Sequence, residues 1–126
     1  MIPTNKNDNE AIKVLLSSSD EQVINNTVQL LEWLQDANWP VFNGVVDRLS
    51  GLGDKLFSPI NSILKGSDSI WKANIVGYLI PTFSHESQQL YTESLEKLLA
   101  ECNDKDLREG VIDFIEIQLS NVRENT

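Results

Sequence analysis

His85 and Cys102 are the only histidine and the only cysteine among 126 residues. Both side chains can do chemistry near neutral pH: imidazole moves protons, and a thiolate attacks electrophiles. Neither works alone. An acid–base histidine needs a partner within hydrogen-bond reach, and a nucleophilic cysteine needs cations that lower its pKa. Around His85 the sequence reads "SHES", a helix start with Ser84 as its cap. Cys102 falls on the apolar face of a helix with no cationic cluster beside it, and reads as a small buried hydrophobe. Glu109, Asp113 and Glu116 recur at i, i+4, i+7 and would place three carboxylates on one helix face. A di-iron bundle would need Glu-x-x-His motifs, and a calcium loop would need alternating oxygen ligands around a glycine. The chain has neither, so the stripe reads as a solvated face. "GLGDK" (51–55) lacks the strand, spacing and Ser/Thr of a phosphate loop and reads as a turn. The expectation is a chain with no catalytic, cofactor-binding or metal-binding residue, hence not an enzyme.

Recognition is better served than reaction. "WLQDANWP" (33–40) holds two of the three tryptophans. Trp is enriched at binding hot spots, yet at helix ends it more often packs with its N–H given to one partner. Trp33 and Trp71 are expected in the core, and Trp39, on a loop, is the one expected to be exposed. Asp36, Asn38 and Asp68 could hold a basic group of a partner or cap helices. Lys72 stands four residues after Asp68, a pair that would stabilise by only about 0.2–0.5 kcal/mol. The candidate partner-binding set is therefore Trp39, Asp36, Asn38, Asp68 and Lys72.

Helices must position these side chains, because apolar residues recur at helical spacing nearly throughout. About seven are expected. The first spans roughly 8–17. The second spans 20–34, with Ile24, Thr27, Val28, Leu31 and Leu34 on one face. Pro40 cannot continue a helix but suits the first position of one, so a third begins there. A fourth runs through Leu56 and Leu64, kinked or broken in its first turn at Pro59, and a fifth ends at Pro81. The sixth carries Tyr91 to Cys102 and the seventh Leu107 to Val122. The tails, about 1–7 and 122–126, are expected to fray.

"DANW" (36–39), "DSIW" (68–71) and "DKDL" (104–107) share one shape: Asp, two residues, then a large apolar side chain. Each offset spans two helices, as stacked helical hairpins would require: about 8–34, 36–66, 68–102 and a half-unit from 104. The expected fold is one all-α domain, a HEAT-like stack of hairpins forming an α-α superhelix. Its units are shorter than the usual period of about 40–47 residues. A compact seven-helix bundle fits the same pattern.

Ten Lys and Arg against nineteen Asp and Glu give a net charge of −9, with no run of cations. That disfavours nucleic acid and anionic membranes, which need clustered positive charge, and favours a basic protein partner. One unpaired cysteine, a polar start and the absence of a long apolar run lead to the expectation of a soluble cytoplasmic protein.

"LLEWLQDANWPVFNGVVDRL" (30–49) and "SILKGSDSIWKANIVGYLIP" (62–81) resemble the bacterial family called domain of unknown function 5071. The pattern is a leucine-rich helix leading into W-L-Q-D-x-N-W-P, then a D-x-x-W-K helix ending in L-I-P. The likeness covers roughly residues 10–105. It implies a small α-helical, HEAT-like fold and no reaction. The motif residues, by position, are Trp33, Gln35, Asp36, Asn38, Trp39, Pro40, Asp68, Trp71, Lys72 and Pro81.

The function expected is a non-enzymatic protein-binding module for a basic partner, one concrete version being an immunity or antitoxin-like protein. The alternative is a structural or regulatory subunit that self-associates. A HEAT-like enzyme acting on nucleic acid ranks below both, for want of a cationic groove.

Overall fold

Asp8, Ser19, Asp68, Ser84 and Asn103 each accept a backbone N–H from the turn that follows, and a helix starts behind each. These oxygens satisfy donors that a helix cannot pair internally. The computed structural model describes residues 1–124 and is helical throughout, with no strand among them. The helices are α1 (Asn9–Ser17), α2 (Asp20–Asn25), α3 (Thr27–Leu31), α4 (Phe42–Leu49), α5 (Phe57–Leu64), α6 (Ser69–Asn74), α7 (His85–Gln89), α8 (Thr92–Glu101), α9 (Asp104–Arg108) and α10 (Val111–Glu124).

The described residues thus hold ten α-helices, not about seven. Three expected helices are divided. The second breaks at Asn26, which leaves helical geometry (φ −116°, ψ 16°) while its Nδ2 donates to Gln22 O. The sixth breaks at Leu90 and Tyr91, whose N–H groups reach back only three residues, to Ser87 O and Gln88 O. The seventh breaks at Gly110, whose φ of +81° is left-handed, a conformation glycine adopts without a Cβ penalty. Glu109 therefore ends α9 while Asp113 and Glu116 lie on α10, and the three carboxylates share no continuous face.

The Asp-x-x-bulky signature does not mark equivalent joints. Asp68 caps α6, Asp36 lies in a turn ahead of α4, and Asp104 is the first residue of α9, capped by Asn103. Leu107, the third bulky residue, is 56% exposed. Pro59 sits in the first turn of α5, where its missing N–H is not needed. Pro81 acts more strongly. Ahead of it, Ile75–Leu79 widens into a π turn, with Ile80 N–H donating to Ile75 O. A proline ring crowds the carbonyl four residues back, here that of Gly77. A Cβ on Gly77 would lie 2.9 Å from the Phe114 ring, so glycine also allows α10 to approach.

One core runs through the chain, from Leu15, Leu30 and Leu49 to Ile60, Leu79 and Ile115, each wholly buried. α1 packs on α4, α3 on α5, α5 on α8, and α10 on both α6 and the π turn. Residues 1–7 also pack: Pro3 is buried, Met1 and Ile2 lie against the core, and Lys6 O accepts from Val41 N. At the other end α10 continues to Glu124 with Val122 buried. Residues 125–126 of the expected tail lie outside the described residues.

Candidate functional site

The five residues singled out for partner binding fall in three places. Asp36 Oδ1 accepts from Asn38 N at 2.8 Å, and Asp36 O accepts from Trp39 N at 3.2 Å. Asp36 therefore builds the turn that carries Asn38, which is exposed, and Trp39, which is half-buried. Trp39 meets Trp33 edge to face, with centroids 5.4 Å apart, and Trp33 in turn packs on the core. This stretch is a joint between the end of a 3-10 turn (Glu32–Leu34) and α4.

Lys72 is inside the protein, not on it. It does not pair with Asp68. Its Nζ lies 2.9 Å from Asp106 Oδ1, and the two side chains are 5% and 2% exposed. Ser69 Oγ donates to the same carboxylate oxygen at 2.5 Å. Asp106 Oδ2 accepts from Asn103 N, and Asn103 Oδ1 accepts from Asp106 N. One carboxylate thus closes a capping box on α9 and holds a lysine and a serine of α6. Burial alone would push the Asp106 carboxyl up. The hydrogen bonds from Ser69, Lys72 and Asn103, with the lysine charge, hold it below its ordinary value. Cys102, at the end of α8, is half-buried. Burial and then the Asp106 charge raise its thiol pKa, with Lys72 opposing, which disfavours the reactive thiolate. The arrangement ties α6 to α9.

Asp68 lies elsewhere, on an open groove walled by α3, α5 and the start of α6. Val28, Leu31, Pro59, Ile63 and Trp71 line it along with Asp68, around a cavity of about 470 Å³. Asp68 Oδ1 accepts from Trp71 N at 3.0 Å. Trp71 Nε1–H donates to Leu31 O at 3.0 Å, and Asn74 Nδ2 donates to Leu34 O at 2.9 Å. Those carbonyls belong to the last turns of the α3 segment, so α6 caps it from forty residues away. Val28 is not on the core-facing stripe where its spacing put it: it is 62% exposed. The buried face is Val23, Thr27, Leu30, Leu31 and Leu34, spaced i, i+4, i+7, i+8, i+11 across Asn26; Val28 lies off it and borders the groove. Among the described residues lining this groove Asp68 alone is charged. A second groove, of about 270 Å³ between α5 and α8, carries Lys65 and Lys97 as well as Glu93 and Glu101, and so favours neither sign.

His85 is half-exposed, and its Nε2 lies 3.2 Å from Gln89 Nε2. Ser84 caps the helix it starts. Among the described residues no three of His, Cys, Asp or Glu gather as a metal site would need.

A family model described as a domain of unknown function (DUF5071) matches residues 1–119. The chain belongs to the DUF5071 family. No curated protein matches the sequence. In this DUF5071 chain the W-L-Q-D-x-N-W-P element is the joint at Trp33–Pro40. The D-x-x-W-K element serves three purposes in five residues: Asp68 caps α6, Trp71 lines the groove, and Lys72 enters the buried pair. Ser69 and Asp106 went unnoticed in the sequence because their partners lie 37 residues apart. No local spacing signals such a pair.

Proposed function

We propose that this DUF5071 chain is a non-enzymatic protein-binding module of the cytoplasm that takes a basic partner, and that the α3–α5–α6 groove is where it does so. The observation that carries the reading is the groove itself: apolar walls with one carboxylate, Asp68, that caps α6 and has no ion-pair partner among the described residues, on a chain of net charge −9. Apolar pockets with a few placed polar groups are where ligands and partner side chains are usually received. An immunity or antitoxin-like protein that neutralises a basic toxin is one concrete form of this activity.

We infer a HEAT-like stack as the architecture that presents the groove. The support is a recurring reach. Ser69 to Asp106 spans 37 residues, Tyr91 to Gly53 spans 38, and both bonds from α6 to the α3 segment span 40. That interval approaches the lower end of the HEAT period of about 40–47 residues, alongside bonds of 28 to 30 residues made by Arg48 and Gln118. A second reading, self-association, draws on exposed Leu107 and Ile117.

The test is photo-crosslinking in an extract of the native cells, with a photoreactive residue at Val28 and, as a control, at Asp113. A basic protein captured from position 28 alone supports the reading. No adduct at position 28, or equal capture at both positions, overturns it. Adducts of the chain with itself would favour self-association, which light scattering over a concentration series would measure directly.

A further inference from the structure

Resting on the groove reading above, we propose that the segment received there is an amphipathic α-helix of the partner, and that an Arg or Lys on it seats between Asp68 and Trp71. Three features of the groove lead to this occupant.

Its walls are helices, which bond their own backbone groups and offer no strand edge. An extended peptide laid over Val28, Leu31 and Ile63 would bury N–H and C=O groups without partners, at a cost that a helix avoids by arriving already paired. Apolar anchors at i, i+3 or i+4 and i+7 are how a helix fills such a groove.

The charged end has a definite sign. Asp68 spends Oδ1 on Trp71 N, leaving Oδ2 uncommitted. That bond also answers the positive end of α6, which lies at the same place. α5 ends beside it, with Ile63 and Gly66 on the groove wall; the Ile63 carbonyl already accepts from Gly66 N, so the sign of this end rests on Asp68.

Trp71 completes the seat. Its indole N–H is already given to Leu31 O, and the half-buried ring lines the groove; an aromatic ring attracts cations through its π system. A guanidinium can lie flat on the ring and hydrogen-bond the carboxylate together, so arginine fits better than lysine.

The experiment is selection from a displayed library of random peptides of roughly 16 residues, four to five helical turns, against the whole chain. Binders are then measured on V28E and D68N. Val28 is exposed, and asparagine caps a helix as well as aspartate does, so both variants should unfold at the wild-type temperature. If V28E does not, Ser62→Arg on the α5 wall replaces it. The expected peptides space apolar residues at i, i+3/i+4 and i+7 around an Arg or Lys, and gain helical circular dichroism on binding. Their affinity should fall about tenfold or more on V28E and roughly three- to fivefold on D68N. Peptides that are extended, neutral or acidic, or indifferent to D68N, overturn the helical-cation inference. If those peptides still fail on V28E, the groove reading stands. Peptides indifferent to V28E, or no enriched peptides, overturn both.

Discussion

Lys72 Nζ and Asp106 Oδ1 lie 2.9 Å apart with both side chains almost wholly out of water, joining α6 to α9 across 34 residues of sequence. Ser69 and the Asn103 amide add two further donors to the carboxylate. A buried ion pair is tolerable when added hydrogen bonds such as these share the cost of desolvation.

Removing one partner should therefore hurt more than removing both. Asp106→Ala leaves an uncompensated buried ammonium and should cost about 3–5 kcal/mol in denaturant unfolding. Lys72→Met combined with Asp106→Leu should cost less than the sum of the two single changes. Strict additivity would mean that the two side chains do not interact.

Acid should release the same pair. The folded Asp106 carboxyl is depressed below its ordinary 3.8. Its contribution is complete above that value and is lost as the pH falls through the lower folded pKa. Stability measured downward from neutral pH should fall in that acid range, and Asp106→Asn should flatten this part of the curve. An unchanged acid limb in Asp106→Asn would show that other carboxylates carry it.

Tyr91 is wholly buried, and its hydroxyl donates to Gly53 O at 2.7 Å. Burial, then the charge of Asp54, raises its pKa above the usual phenol value. Tyr91→Phe should cost about 1–3 kcal/mol, because Gly53 O is left unpaired. In an alkaline ultraviolet titration this tyrosine should ionise only with unfolding. Ionisation at the ordinary phenol pKa in folded protein would contradict its placement.

The tryptophans should rank in order of their packing. Trp71→Ala removes a ring packed on the core and its hydrogen bond to Leu31 O, at a cost of about 3–5 kcal/mol. Trp39, whose ring contact is with Trp33 at the surface joint, should cost less. Equal shifts in thermal midpoint would refute the ranking.

What the sequence disclosed was local. Ser84 and Asp68 were legible as caps because a cap and the amide it accepts lie within one turn, and the helical class followed from apolar spacing alone. Gly110 was visible but read through, since Leu107 to Val122 keeps an unbroken apolar rhythm across it. Lys72 was assigned Asp68 by the four-residue rule, but the third dimension supplied a better-desolvated carboxylate. The groove was missed for a related reason: Val28 borders the apolar stripe in sequence but lies off the buried face of Val23, Thr27, Leu30, Leu31 and Leu34, and no single helix contains the site.

Trp71 and Asn74 reach back to seal the carbonyls of Leu31 and Leu34, so the first half of the molecule ends in a stopper made by the second. A fragment cut near Gly66 would expose those two acceptors and the apolar side chains beneath them, and could not stand as a miniature of the parent. Melting should accordingly be all-or-none, with tryptophan fluorescence and helical signal lost together.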